Sequence, residues 1–317
     1  MITALTARAT EVDGRARAQG LAECWEILRV HGKTFHVMAK LLGPGRGDAI
    51  AALYGFARVA DDLVDERAPD ARPEEIRAEL HRMLLELRRA VAGEPVAPRW
   101  LVLGEAVRRY GIPLDPFDDL VRGLEMDLDG TIYRTSSELE LYCYRVAGTI
   151  GLMITPVAGY REGTRALEYA KTLGSAMQLT NILRDVGEDH ARGIVYLPEE
   201  DLARFGFSRE DLPRHVGEDG FRALIEFEIA RARRLYAEGL GLIPLMTTAR
   251  GRAAFQFAAN AYGAILDKIR ANEHDVITRR ASLSFAEKLA MIPVSAWHAW
   301  RAGAVRRGDA PAGAGRA

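Results

Sequence analysis

A stripe of polar side chains lies on one face of a predicted helix within residues 178–189. With a step of about 100° per residue, Gln178, Asn181, Asp185 and Asp189 fall within an arc of roughly 80°. Two carboxylates one turn apart repel each other by roughly a few tenths of a kcal/mol on a solvated face. Inside a cleft the cost is larger unless a cation compensates it. The stripe is therefore either a solvent-exposed polar face or a site for a hard divalent cation with oxygen ligands.

A second acidic stripe favours the cation site. As a helix, the segment YGFARVADDLVDE places Tyr54, Arg58, Asp61 and Asp65 within about 60° of one another. Mg²⁺ usually takes one or two carboxylates and completes its shell with water and substrate phosphate oxygens. Arginine also accompanies each acid pair, at Arg58 and Arg184, and guanidinium groups bind phosphate oxygens directly. Two facing acidic helices with these arginines predict a diphosphate that is bound through metal ions.

Composition narrows the class of protein. The 317 residues include 43 Lys and Arg against 44 Asp and Glu, which gives no indication of a nucleic-acid partner. Cys24 and Cys143 show no metal or redox spacing, so we expect a reduced, cytoplasmic setting. The longest uncharged run, 146–160, is too short and too interrupted by glycine and proline to span a bilayer. No secretory signal is expected, and the protein is predicted to lie at most against a membrane surface.

The periodicity of the chain predicts a single all-α domain, a helical bundle around a central cavity. No hairpin signal, glycine-rich phosphate loop or Rossmann fingerprint is present in the sequence. We expect a loose N-terminal arm at 1–20, the folded domain at 21–303 and a disordered tail at 304–317. The predicted helices are 21–42 with a break at Gly32, one from Asp48 that stops before Pro69, 73–93, 98–110, 115–128, one from Ser136 that Pro156 kinks or ends, 168–190, 218–248, 250–274 and 284–302.

Two features of the middle of the chain leave alternatives open. The run MDLDGTIYRT at 126–135 lacks the spacing of a calcium loop and is expected to be a turn. Gly148 and Gly151 give the following helix a smooth face. That face fits close packing of two helices, a channel wall for a hydrocarbon tail, or both.

The ordered motifs resemble those of the squalene/phytoene synthase family. They are DDLVD at 61–65, YCYRVAGTIG at 142–151 and NILRDVGED at 181–189. The similarity runs from about His31 to Arg280, and the wording of YGFARVADD and ILDKIRANEHDVITRRA is most similar to the bacterial phytoene synthases of that family. A lone DDxxD motif would be weak, but the ordered set is specific.

The resemblance implies head-to-head coupling of two geranylgeranyl diphosphates to phytoene through a cyclopropyl diphosphate, as a step of carotenoid biosynthesis. Mg²⁺ would be the cofactor, with Mn²⁺ as a substitute. The alternative is a squalene or dehydrosqualene synthase that uses farnesyl diphosphate, and NADPH would be needed only for squalene. A chain-elongating prenyltransferase or terpene cyclase, and a non-catalytic assembly or scaffold member of the family, are less favoured. Peripheral membrane contact for product release is expected, and the oligomeric state is left open.

The family pattern also assigns residues. Asp61, Asp65, Asp185 and Asp189 would act in catalysis as metal ligands, Asn181 would be a neutral ligand, and Tyr142 would lie near the reacting carbons. Asp62 points about 100° away from Asp61 and is the weaker candidate. For each tyrosine alone, an ordinary half-buried ring is the simpler interpretation. The substrate-binding set consists of His31, Lys33, Thr34, Phe35, Tyr54, Arg58, Gln178, Arg184, Arg192, Tyr196, Tyr262 and Arg279.

Overall fold

The protein is built from helices. A computed structural model describes residues 2–68 and 70–308, with side chains described for 14–68 and 70–303. Within these ranges the only extended pairing is an isolated bridge between Tyr160 and Met246, so the predicted all-α fold is confirmed. The α-helices are α1 (Ile2–His31), α2 (Lys33–Leu42), α3 (Arg46–Asp65), α4 (Pro73–Ala92), α5 (Pro98–Tyr110), α6 (Asp115–Leu128), α7 (Ser136–Cys143), α8 (Thr149–Ala158), α9 (Ala166–Ala191), α10 (Glu199–Arg204), α11 (Asp219–Gly239), α12 (Ala249–Ala271) and α13 (Phe285–Gly308).

Local signals fix many of these boundaries. Pro73 occupies the first turn of α4, and Gly93 ends the helix in the left-handed region with φ 82°. The predicted cap at Asp48 lies one turn inside α3 instead: its carboxylate accepts the backbone N–H of Gly45 at 3.2 Å. A π-helical segment, Tyr144–Gly148, joins α7 to α8 without interruption. Pro156 lies inside α8, which ends two residues later at Ala158.

The N-terminal arm differs from the prediction, because its backbone is helical from Ile2. Where side chains are described, α1 packs closely on α5: a Cβ at Gly20 would lie 2.2 Å from the carbonyl oxygen of Pro98. Cys24 and Leu28 are buried on the same helix. A helix anchored in this way extends backwards through Ala and Arg, which are good helix formers. At the other end α13 continues to Gly308, and 309–317 of the expected tail lie outside the described residues.

The two helices that carry the acidic motifs are connected through α8. Helix α8 contacts both α3 and α9, and α9 also packs against α11, α12 and the π-helical segment. Glycines make the approach of α8 and α9 close. A Cβ at Gly151 would lie 2.3 Å from the carbonyl oxygen of Ala170, and one at Gly174 would lie 2.3 Å from that of Ala147. Close packing therefore fixes where α9 presents its polar stripe.

One helical run among the described residues, Ser136–Ala158, is long and apolar enough to cross a membrane by length and composition alone. It has 23 residues, and its most apolar 18-residue window has a mean hydropathy of 1.2 and is 56% buried. The run packs against α6 and α9. These are the contacts of a core helix.

The packing of α9 against the π-helical segment can be tested by adding one methyl group. We expect Gly174→Ala to lower the free energy of unfolding by about 1–3 kcal/mol, because the new Cβ meets backbone that cannot move aside. Gly14→Ala is the matched control: it adds the same group to α1 where no atom lies within 4 Å, and should be neutral or stabilising by up to about 1 kcal/mol. Urea unfolding of both variants is the measurement. Equal stability of the two variants would contradict the packing described.

Candidate active site

A cavity of about 660 Å³ opens between the helices and is lined by residues of α2, α3, α6, α8, α9 and α12. Its two parts differ in chemistry. The charged lining residues are partly exposed to solvent, whereas Leu53, Leu124, Ile154 and Leu173 of the lining are buried. The cavity therefore has a polar mouth and an apolar interior.

The structure brings twelve of the predicted site residues together in the cavity wall. The first turn of α2 and the residues just before it contribute one group, α3 a second and α9 a third. These residues are His31, Lys33, Thr34, Phe35, Tyr54, Arg58, Asp61, Tyr142, Gln178, Asn181, Arg184 and Tyr262.

The remaining predicted residues do not line the cavity itself, but most of them lie at its rim. Asp65 and Arg192 form an ion pair, with Arg192 Nη2 donating to Asp65 Oδ1 at 3.1 Å. Asp185 is hydrogen-bonded to two lining arginines, and Asp189 interacts electrostatically with Asp65. Because Asp65 ends α3 and Arg192 follows α9, their contact shows that the acidic ends of the two helices face each other.

Carboxylate repulsion is visible at this mouth. Burial and the nearby Asp65 raise the pKa of Asp61 to about 6, against the opposing effect of Arg58. Burial and the nearby Asp185 raise the pKa of Asp189 to about 7. A cation bound near Asp61 and Asp189 would therefore be stabilised.

Asp185 is the exception among these acids. Burial alone would raise its pKa, but hydrogen bonds from Arg184 and Arg280 hold it below its ordinary value. Arg184 Nε and Arg280 Nε each donate to Asp185 Oδ1 at 2.8 Å. The carboxylate is therefore kept ionised and fixed in orientation, with both arginines beside the cavity.

Asn181 carries a further sign of a ligand site. Its Nδ2 donates to Gln178 Oε1 at 3.3 Å, while its Oδ1 is buried without a hydrogen-bond partner. A buried carbonyl oxygen without a partner is costly, and a hard cation is one partner that would satisfy it. In the described part of the chain, no three Asp, Glu, His or Cys side chains form a ready-made metal cluster. Pairs of carboxylates together with Asn181 are what the mouth presents, and they fit a hard cation that completes its shell with other oxygens.

Sequence reasoning missed part of the cationic lining. Lys288, at the start of α13, and Arg280 both line the cavity. Burial lowers the pKa of Lys288, and the positive charges of Lys33 and Arg184 lower it further. With Arg58, five Lys and Arg side chains therefore line the cavity near the acidic helices, an arrangement that an anionic ligand would stabilise.

The structure distinguishes Arg280 from its neighbour Arg279. The Arg279 side chain is 65% exposed and lies 3.9 Å from Asp275, outside the cavity lining. Arg280 is directed inward because the preceding segment is held against α9: Gly187 N–H donates to the carbonyl oxygen of Val276 at 3.0 Å. Of the two adjacent arginines, Arg280 lines the cavity and the predicted Arg279 does not.

A buried hydrogen-bond network centred on Asp127 also reaches the cavity wall. Tyr142 and Tyr196 donate to the two oxygens of Asp127 at 2.8 Å and 2.9 Å, and their rings stack 5.1 Å apart. Burial raises the pKa of Asp127 to about 7, although both tyrosine hydrogen bonds favour the carboxylate. Asp127 lies in the run interpreted from sequence as a turn. Only the tertiary fold reveals that Asp127 accepts these hydrogen bonds, since its partner Tyr196 is 69 residues away in the sequence.

Aromatic rings line another part of the wall. Phe35 lies 5.7 Å from Tyr54 and 6.4 Å from Tyr262, measured between ring centroids. The faces of such rings attract cations, with about 0.5–2 kcal/mol of stabilisation for each contact. The cavity thus combines anion-binding groups at the mouth with an apolar and aromatic interior.

Comparison with known proteins identifies the family. The sequence profile of the family "Squalene/phytoene synthase" matches residues 28–287. The chain belongs to the squalene/phytoene synthase family. It is 39% identical over 287 residues to 15-cis-phytoene synthase of Synechocystis sp. (86% of this chain and 83% of the relative), and 38% identical over 290 residues to that of Synechococcus elongatus (88% and 92%). A crystal structure of a dehydrosqualene synthase in complex with ligand superimposes with a TM-score of 0.82 at 30% identity, covering 91% of this chain and 99% of that one.

Membership of the squalene/phytoene synthase family makes the chain a prenyltransferase-type enzyme. The matched range, 28–287, includes both acidic motifs and the segment that carries Arg280. The resemblance noted in the sequence is therefore confirmed. The roles of individual residues are still predictions.

Arg280 and Arg279 form a natural pair for mutagenesis. We expect Arg280→Gln to raise the KM for the prenyl diphosphate roughly tenfold or more, because one charge-assisted hydrogen bond contributes about 1.5–3 kcal/mol. Arg279→Gln, next to it but outside the cavity, should change KM by less than about twofold. Steady-state kinetics of both variants test this. Equal losses, or a larger loss at Arg279, would contradict the placement of Arg280 at the diphosphate.

The raised pKa of Asp127 also has a consequence for stability. Its folded-state pKa of about 7 lies above the unfolded value of 3.8, so the folded protein binds more protons between these pH values. The free energy of unfolding therefore falls as pH rises through this window. Asp127→Asn removes that cost. The free energy of unfolding of the variant minus that of wild type should therefore increase by about 1–2 kcal/mol from pH 5 to pH 8. Urea unfolding in EDTA measures the difference, and a difference independent of pH would contradict this electrostatic account.

Proposed function

We propose that this enzyme is a phytoene synthase that condenses two geranylgeranyl diphosphates head to head, in a Mg²⁺-dependent reaction of carotenoid biosynthesis. The observation that carries the proposal is the facing of two acidic helices across a mouth that is also lined by five Lys and Arg side chains. The relatives named 15-cis-phytoene synthase support the choice of product. We place the reaction in the cytoplasm, with peripheral membrane contact when the product leaves.

The residues proposed to hold Mg²⁺ are those of the two stripes. They are Asp61, Asp65, Asn181, Asp185 and Asp189, of which Asn181 provides the buried oxygen without a partner. Bound Mg²⁺ would neutralise charge that develops on the departing diphosphate. Mn²⁺, with similar oxygen preference, would substitute.

The cationic side chains of the mouth are proposed to bind the diphosphate directly. Lys33, Arg184, Arg280 and Lys288 all line the cavity, and the Asp185 carboxylate fixes the orientation of both arginines. Burial and neighbouring positive charge lower the pKa of Lys288, so an anion in their midst would stabilise its charged form. These groups thereby stabilise the leaving oxygens as the carbon–oxygen bond breaks.

The interior of the cavity is proposed to protect the allylic cation that remains. Leu53, Leu124 and Ile154 are buried and keep water from the reacting carbons. Attack by the double bond of the second substrate, with loss of one proton that the released diphosphate can accept, then gives a cyclopropyl diphosphate. The second ionisation and rearrangement produce another cation, for which the rings of Phe35, Tyr54 and Tyr262 provide attractive faces.

Formation of phytoene requires that this last cation lose a second proton, so that the carbon skeleton loses two protons as the two diphosphates leave. Tyr142 lines the cavity and donates to Asp127. We assign the proton to this pair: Tyr142 Oη receives it while passing its own hydroxyl proton to Asp127 Oδ2. A carboxyl group whose pKa is about 7 can accept and release a proton near neutral pH.

A dehydrosqualene or squalene synthase that uses farnesyl diphosphate is the second candidate. The similarity to the solved dehydrosqualene synthase favours it, because that structure matches 91% of this chain. Both candidate functions use the polar mouth in the same way, and they differ in the length of the hydrocarbon chain of the substrate. NADPH would be required only for squalene.

The test is a product assay. Purified enzyme is incubated with Mg²⁺ and either geranylgeranyl or farnesyl diphosphate, with and without NADPH, and the hydrocarbon extract is analysed by mass spectrometry. We expect a C40 hydrocarbon from geranylgeranyl diphosphate without NADPH. A C30 product formed in preference to C40 would reject phytoene synthase in favour of the second candidate.

The same assay tests the acidic stripes. Asp61→Ala and Asp185→Ala should each lower turnover by about 10²–10³-fold while the fold is retained, because each removes a carboxylate that is proposed to hold Mg²⁺. Asp267→Ala is the control, since Asp267 is exposed on α12 and pairs with Arg233. Near-normal turnover of either stripe variant would reject the metal assignment.

A further inference from the structure

The C-terminal helix α13 exposes an apolar face. Phe285 is 61% exposed, Trp297 54% and Trp300 62%, and Leu289 and Val294 are exposed as well. Five of the nine large hydrophobic residues that are exposed in the described part of the chain therefore lie on this one helix. The two tryptophan rings stack on each other with centroids 5.3 Å apart. Surface hydrophobic residues that occur singly need no explanation, but a group of this size on one helix does.

This face is not part of the protein core, because α13 uses its other side to pack against α12. Ser295 and Ala299 are buried there, and the Ser295 hydroxyl accepts a hydrogen bond from Asn260 Nδ2 at 2.8 Å. The helix is thus anchored on one side and left apolar on the other. The exposed residues contribute little to holding α13 in place.

The charge of the helix identifies the kind of surface it fits. From 288 to 308 the sequence contains no Asp or Glu, and it contains Lys288, Arg301, Arg306 and Arg307. Tryptophan concentrates at membrane–water interfaces, and Lys and Arg near a surface helix add attraction to anionic lipids. A second copy of the chain is a poorer partner, because symmetric pairing would bring the same basic residues of both copies together.

The position of the helix relative to the cavity supports a lipid partner. Leu283, just before α13, and Lys288, in its first turn, both line the cavity. Phe285 and Leu289 alternate with them along the chain and are exposed outside it. The apolar face therefore begins at the cavity wall.

We propose that α13 is an interfacial helix that docks the enzyme on an anionic phospholipid bilayer through Phe285, Leu289, Trp297 and Trp300. The benefit for hydrocarbon release rests on the proposed function, but the docking itself does not. Bound in this way, the enzyme would place the wall formed by Leu283 and Lys288 next to the lipid.

The proposal is tested by flotation of the full-length protein with vesicles, without substrate. Wild type should float with phosphatidylcholine vesicles that contain 30 mol% phosphatidylglycerol, less with phosphatidylcholine alone, and less at high salt. Trp297→Ser/Trp300→Ser should weaken partitioning by roughly tenfold or more, since both exposed rings are lost. The matched control Leu85→Ser/Ile132→Ser removes two exposed hydrophobic residues elsewhere and should float like wild type.

Separate measurements keep the outcomes distinct. Circular dichroism verifies folding of the variants, and Phe285→Ser/Leu289→Ser repeats the test on the first turns of α13. Failure of wild type to float with anionic vesicles, or equal flotation of both α13 variants and wild type, would overturn the proposal. The proposal would also be overturned if the wild type were a dimer that does not float and the tryptophan variant were a monomer. In that case α13 would be a dimer interface. Activity is measured in detergent, so an enzyme that floats but makes no C40 product would refute the proposed function alone.

Discussion

Repulsion between carboxylates at the mouth of the cavity is the constraint on which this structure depends. Asp61 and Asp65 end one helix, Asp185 and Asp189 end another, and the two ends face each other. Arginine contacts keep the pKa of Asp185 low, while Asp61 and Asp189 have raised pKa values. The folded protein therefore holds negative charge that is incompletely compensated. Such an arrangement lowers stability, and it strengthens the binding of anything that brings positive charge.

The rest of the fold maintains this unfavourable arrangement. Gly151 lets α8 approach α9 closely and Gly174 does the same for the π-helical segment, so α9 cannot move away from α3 without loss of packing. Gly187 plays a similar role at the functional end of α9, since a Cβ there would lie 2.1 Å from the carbonyl oxygen of Ile277. That contact holds the segment that delivers Arg280 to Asp185. Packing thus keeps the cations as well as the acids in position.

Sequence reasoning succeeded where function follows helical periodicity. Spacing along a helix put Gln178 and Asn181 on one polar stripe, and the structure places both in the cavity wall with Asp61. It failed where position depends on irregular backbone or on distant contacts. Arg279 and Arg280 are adjacent on a non-helical segment, so periodicity could not choose between them. The importance of Asp127 depends on Tyr196, and nothing local in a short acidic run indicates such a partner.

The most direct test of the central claim is anomalous diffraction from crystals grown with Mn²⁺ and a thio-diphosphate analogue of geranylgeranyl diphosphate that cannot ionise. We expect Mn²⁺ between α3 and α9, about 2.1 Å from carboxylate oxygens of both helices, with the diphosphate oxygens completing each shell. An ordered diphosphate bound only by arginine and lysine, or Mn²⁺ held away from these two helices, would contradict the account.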